Sequence, residues 1–150
     1  MTQRPFRLHT IISGGQTGAD VTALEEARAL HLHTGGTAPK GWRTEHGANP
    51  ALADFGLVQS SSPRYIPRTR ANVRHADVTV WFGRTNTPGF RCTLRACHDY
   101  DKPLIVNPIS FASIARHAGT INVAGNRASA NPDVVALVRA AFAELRVYGF

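Results

Sequence analysis

Leu8-His9-Thr10-Ile11-Ile12-Ser13-Gly14-Gly15-Gln16-Thr17-Gly18-Ala19-Asp20 is the stretch that decides the fold. The apolar run Leu8 to Ser13 stops at paired glycines, which reads as a strand entering a tight turn. Ala19 to Leu30 follows, dense in Ala, Leu and Glu, and reads as a helix burying Leu24, Ala27 and Leu30 on one face. The same alternation continues outward. Strands are expected at Thr34–Ala38, Leu57–Ser60, Val78–Phe82, Pro103–Val106 and Ile121–Val123. Helices are expected at Arg68–Ala76 starting near Pro67, at Arg91–Tyr100, at Ser110–His117 with Ser110 as N-cap, and at Pro132–Arg146 capped by Asn131. Pro39 to Gly56 reads as loop. Alternating strands and helices imply parallel pairing and right-handed crossovers. The expected fold is a Rossmann-like three-layer α/β sandwich with a mainly parallel sheet, one domain over residues 1–150.

The chain has 150 residues, 43% of them apolar, enough for a real core. No apolar run approaches the ~20 residues of a membrane span. The opening Met1 to Arg7 lacks the apolar stretch of a signal peptide, so a cytoplasmic location and no membrane partner are expected. Cys92 and Cys97 match neither a disulfide framework nor a zinc spacing and read as ordinary thiols. The seven histidines include His31-Leu-His33, but no Cys, Asp or Glu stands at a helpful spacing, so no metal site is predicted. The formal charge is +7, and fifteen of the seventeen basic residues are Arg. Arg grips phosphate through a planar fork, so an anionic ligand or a nucleic acid stands against the plainer reading of a solvated basic surface.

Parallel sheets bind ligands beyond the carboxyl ends of their strands, so chemistry is sought in the turns leaving them. Ser13, Gly14, Gly15, Gln16, Thr17, Gly18 and Asp20 form the first such turn. Its glycines allow close approach to a phosphate, and the following helix supplies free N–H groups. Asp20 either caps that helix or accepts from a ligand hydroxyl. A second group is Lys40, Arg43 and Glu45, in which Glu45 would bond a ribose hydroxyl or orient Arg43. A third is Tyr65, Arg68, Thr69 and Asn72, whose spacing puts four polar groups on one helix face, lining a polar site or facing solvent. Gly83 to Thr93 offers a second phosphate cradle, with Thr93 near a helix start. A fifth group, Asn122, Gly125, Asn126, Arg127 and Ser129, again leaves a strand. Each group has a plainer reading as turn or surface chemistry. No Ser-His-Asp signature and no nucleophile is apparent, so catalytic residues are unassigned.

Four of these motifs carry a resemblance. Ser-Gly-Gly-Gln-Thr-Gly-Ala-Asp (13–20), Pro-Lys-Gly-Trp-Arg-Thr-Glu (39–45), Tyr-Ile-Pro-Arg-Thr-Arg-Ala-Asn-Val (65–73) and Asn-Val-Ala-Gly-Asn-Arg-Ala-Ser (122–129) resemble, in order, the putative molybdenum carrier family. These molybdenum-cofactor-carrier-like proteins belong to the wider SLOG group of Rossmann-like proteins, which includes the LOG proteins. The resemblance implies a nucleotide or pterin-type phosphate ligand held by the first glycine turn. It carries over to Gly14, Gly15, Gln16, Thr17, Gly18, Asp20, Lys40, Arg43, Glu45, Tyr65, Arg68, Thr69, Asn72, Asn122, Gly125 and Arg127. The chain departs from the family at Thr87-Pro88-Gly89-Phe90-Arg91-Cys92-Thr93, where a Gly-Gly-Thr-type turn is usual. It also lacks the glutamate after Thr93 that LOG-type hydrolases carry, having Leu94, Arg95 and Ala96 there.

Three functions follow as expectations. The first is a non-catalytic carrier of a nucleotide or of the molybdenum cofactor. The second is a LOG-like N-glycosidic hydrolase, with Asp20 or Glu45 as acid or base. The third is nucleic-acid binding, since DNA-processing SLOG proteins carry a turn that resembles residues 13–20. For the aromatic tail Val147-Tyr148-Gly149-Phe150, two readings stand: packing on a second copy in a homo-oligomer, or a frayed end.

Overall fold

The computed structural model describes residues 6–150; residues 1–5, which open the stretch read as lacking a leader, lie outside them. The elements are β1 (Thr10–Ile12), α1 (Ala19–Ala29), β2 (His33–Ala38), β3 (Arg43–Thr44), β4 (Gly47–Ala48), a 3-10 helix (Pro50–Phe55), β5 (Leu57–Gln59), α2 (Tyr65–His75), β6 (Val78–Phe82), α3 (Pro88–Asp99), β7 (Leu104–Val106), α4 (Ala112–Ala115), β8 (Thr120–Gly125) and α5 (Val134–Val147). Six strands form one sheet in the order β5-β2-β1-β8-β6-β7, every pair parallel. The last strand is inserted beside the first, with Ile11 opposite Ile121.

The sheet's two faces differ in chemistry. On one side Ile11, Val78, Val80, Phe82, Ile121 and Val123 meet α1, α4 and α5 in the largest apolar cluster, centred on Phe111 and Phe142. On the other side α2 and α3 bury Val73, Ala96 and Cys97 in a smaller cluster. Residues of the same strands that alternate with the first set, Thr79 and Asn122, are buried and polar, and Asn122 Nδ2 donates to Thr79 Oγ1 at 3.2 Å. The three-layer Rossmann-like arrangement matches the expectation.

Several boundaries differ, each for a local reason. The segment read as loop, 39–56, contains the β3–β4 hairpin and the 3-10 helix. Its strands are two residues long, too short to show a period, and Gly56 ends the 3-10 helix in the left-handed region. Helix α2 starts at Tyr65, two residues before Pro67, because the first-turn N–H groups have no intrahelical partner and a proline there loses nothing. Helix α3 starts at Pro88, where Thr87 accepts from the Phe90 N–H at 3.1 Å. Helix α4 is a single turn: Ser110 Oγ accepts from the Ala112 N–H and donates to Glu144, while Phe111 holds the N-cap position. Helix α5 starts at Val134 rather than Pro132, and Asn131 turns to Asn126 Oδ1 at 3.1 Å instead of capping.

The aromatic tail packs within the chain, since the Phe6 ring lies 5.2 Å from those of Tyr148 and Phe150. Among the described residues no helix is long and apolar enough to cross a membrane.

Candidate functional site

The turn after β1 is braced by its own acid. Asp20, in the first turn of α1, is 4% exposed, and its Oδ2 accepts from the Gln16 N–H at 3.2 Å and from Arg68 Nη1 at 3.0 Å. The Gly14 N–H also points at this carboxylate. Burial pushes the Asp20 carboxyl up, while the Arg68 guanidinium and the Gln16 N–H pull it down. Arg68 reaches Gly14 from α2 and occupies the space a side chain there would need: a Cβ on Gly14 would sit 1.6 Å from Nη1. A side chain at position 14 would displace the guanidinium laid across it.

Tyr65, one helical turn earlier, has two guanidiniums near its ring, Arg68 at 5.3 Å and Arg43 at 4.9 Å from the centroid. Arg43 Nη1 also donates to the Pro63 carbonyl at 3.3 Å. The rest of that α2 face turns inward. Asn72 closes two hydrogen bonds on the Thr37 peptide, accepting its N–H at 2.8 Å and donating to its carbonyl at 3.0 Å. Thr69 lies against the Cys92 thiol. Burial raises both thiols, Cys92 and Cys97, so neither is an activated nucleophile.

Glu45 joins three loops. Its carboxylate accepts from the hydroxyls of Thr17 and Ser129 and from the Ser129 N–H, and Arg127 Nε stands 3.9 Å away. Its partner among the arginines is Arg127, not Arg43. Those hydroxyls hold the Glu45 carboxyl below the usual carboxylate range. Gln16 Oε1 accepts from the N–H groups of Thr17 and Glu45, tying the glycine turn to the hairpin. The β8 loop can approach because Gly18 lacks a side chain: a Cβ there would lie 2.5 Å from the Asn126 carbonyl. Gly125 is forced in the same way, against the Phe82 carbonyl and Ala19. Ser13 is fully buried, and its hydroxyl donates to the Asp20 carbonyl at 3.0 Å.

The structure therefore gathers Ser13 to Asp20, Arg43, Glu45, Tyr65, Arg68, Gly125 and Arg127 at the carboxyl edge of β1, β2 and β8. It places others elsewhere. Asn122 lies within β8 under the sheet's polar face. Thr93 is buried in the second turn of α3, since that helix begins at Pro88. Lys40 is exposed, and its backbone N–H donates to the Ser62 carbonyl. The turn after β6 is held by Asn107 and Asn126. Asn107 was not singled out from the sequence; its placement directly after a strand, in the left-handed conformation, is the signal that marks it.

This is a carboxyl-edge arrangement of glycine turn, arginine and carboxylate. A family model matches residues 11–146, that of the circularly permuted YpsA SLOG family. The chain belongs to the circularly permuted YpsA SLOG family. A solved structure, that of a putative molybdenum carrier protein from Syntrophus aciditrophicus SB, superposes on this SLOG protein with a TM-score of 0.79. The two chains are 29% identical, with 97% of each covered. No match emerges among curated proteins. Among the described residues of this SLOG domain, no group of three or more His, Cys, Asp or Glu is placed to hold a metal ion.

Proposed function

We propose that the chain binds an anionic, phosphate-bearing small molecule, a nucleotide or the molybdenum cofactor as cargo, at the carboxyl edge of β1, β2 and β8. Arg68 carries the reading. Its side chain is 14% exposed, and Nη1 is engaged by Asp20, yet the buried Nε has no hydrogen-bond partner among the described residues. An unsatisfied buried donor costs about 1–3 kcal/mol, more when charged, and a ligand oxyanion removes that cost. Arg43, near the Tyr65 ring, and Arg127, beside Glu45, add two further guanidiniums, the group suited to two-point contact with phosphate.

The donors are guanidiniums, hydroxyls and backbone N–H groups, which suit an oxyanion and do not suit a metal ion. Cargo of the molybdenum-cofactor type would be held through its phosphate and pterin parts. The likeness to a protein described as a putative molybdenum carrier supports that class. Asp20 and Glu45 are both committed to internal hydrogen bonds, which favours binding over acid–base turnover.

The test is a thermal-shift series with inorganic phosphate, molybdate, nucleoside monophosphates and molybdenum cofactor, on the wild type and on Arg68→Lys. The lysine keeps a charge for Asp20 and removes the Nε donor. A ligand at a hundred times its dissociation constant adds about 2.7 kcal/mol to the wild type, and Arg68→Lys is expected to lose most of that gain. If no small anion stabilises the wild type while oligonucleotides bind with a steep salt dependence, the reading fails in favour of nucleic acid.

A further inference from the structure

Glu45 is a part-buried carboxylate with more exposed partners. Its side chain is 9% exposed, while that of Arg127 is 54% exposed and Ser129 is open to solvent. Two hydroxyls, one backbone N–H and one guanidinium converge on it. That is the donor set of an oxyanion site, and here a protein carboxylate fills it. The donors are oriented in advance. Thr17 Oγ1 accepts from the Ala128 N–H at 3.2 Å, which leaves the hydroxyl proton for Glu45.

Donors and acceptor come from parts of unequal rigidity. Thr17, Arg127 and Ser129 belong to the glycine turn and the β8 loop. Those two are locked together by the close approach at Gly18 and by the Ala19 N–H bonded to the Asn126 carbonyl at 3.3 Å. Glu45 sits in the connection of a hairpin whose strands are two residues each. Trp42, before β3, is anchored against the Leu24, Ala38, Leu52 and Leu57 cluster. The Glu45–His46 connection is instead held by hydrogen bonds, among them the Glu45 N–H to Gln16 Oε1 and the His46 N–H to Thr44 Oγ1. Such a segment opens locally at low cost.

We propose that Thr17, Ser129 and Arg127 form a binding site for a phosphate or another tetrahedral oxyanion, and that the Glu45 carboxylate is its resident competitor, displaced together with the β3–β4 connection when ligand arrives. The proposal rests on the reading that the carboxyl edge binds an anion, and it assigns the anion's subsite. A phosphate group offers more acceptor oxygens and more charge than a carboxylate to the same donors. It cannot share them with Glu45, because two anions at that spacing repel. Displacement makes ligand binding and hairpin release one event.

The sign of a single substitution decides the matter. If Glu45 competes, Glu45→Gln binds anions more tightly; if Glu45 is a ligand contact, the same change weakens binding. Calorimetric titrations with inorganic phosphate, molybdate and AMP are expected to show about tenfold tighter binding by Glu45→Gln than by the wild type. The gain should vanish when Ser129→Ala is added. A gain with the inorganic ions shows that the oxyanion alone is read; a gain confined to AMP assigns the phosphate of a nucleotide, and either supports the subsite. Unchanged or weaker binding by Glu45→Gln, with Arg68-dependent binding intact in the wild type, overturns the displacement and leaves the carboxyl-edge reading standing. Absence of binding in both proteins overturns both. Amide hydrogen exchange on the wild type gives a result that needs no variant. Saturating phosphate is expected to speed exchange at Glu45 and His46 and slow it at Ala128 and Ser129, whereas protection of all four contradicts displacement.

Discussion

The turn after β1 and the turn after β6 look alike in sequence: each leaves a strand, contains glycine and threonine, and enters a helix. Their amides are satisfied in opposite ways. After β6, Asn107 accepts the Gly83 N–H at 2.7 Å and donates to its carbonyl at 3.0 Å, and Asn126 does the same for Arg84 at 2.6 and 3.3 Å. An asparagine amide has one donor face and one acceptor face, so it matches a peptide group and leaves no charge behind. After β1, the Gly14 and Gln16 N–H groups face the Asp20 carboxylate. A buried carboxylate accepts only, and it must attract a cation, which is Arg68. The first turn therefore assembles an ion pair at the sheet edge, and the second closes into a neutral plug. A Cβ on Gly83 would strike Asn126 Oδ1, so the asparagine lies directly against that glycine.

The hardest break is Asp20→Asn. It strands the nearly buried Arg68 charge, and removing one partner of such a pair costs about 3–5 kcal/mol, to be read by urea denaturation. A loss under 1 kcal/mol would mean the ion pair is not what sets the two turns apart. Asn126→Ala tests the other side of the comparison. It unpairs the Arg84 N–H, while the Arg84 carbonyl keeps the Trp81 Nε1 donor at 3.2 Å, and a loss of about 1–3 kcal/mol is expected. Because the contacts are neutral, that loss should hardly change with salt. The smallest effect is a pH dependence. The Ser129 and Thr17 hydroxyls hold the Glu45 carboxyl below its ordinary value. Its contribution is therefore fully present above the usual glutamate pKa of about 4.3 and is lost as pH falls through the lower folded value. Wild-type melts should show this acid-side loss, and Glu45→Gln melts should lack that part of it. Identical pH profiles for the two proteins would detach Glu45 from the network.

The α/β alternation was legible from local periodicity, and each strand of the main sheet falls on or within a stretch read as one, except for one-residue extensions at the starts of β2 and β8 and a longer end to β8. The hairpin and the early starts of α2 and α3 were not, because two-residue strands have no period and prolines mark a helix's first turn without stating which residue of it they occupy. Of the four residues read as one polar face of α2, Arg68 and Tyr65 reach the carboxyl edge, whereas Asn72 clamps the Thr37 peptide and Thr69 meets Cys92. Spacing shows that side chains share a face; it does not show whether that face meets a ligand or a neighbouring peptide.

Residue order alone settled the strand–turn–helix rhythm, the parallel sheet and the glycine turns at strand ends, since those depend on residues a few positions apart. Tertiary structure decided the insertion of β8 between β1 and β6. It also decided the pairing of Asp20 with Arg68 across 48 residues and of Glu45 with Ser129 across 84. Such pairings depend on which loops the sheet order brings side by side, and no local period carries that information.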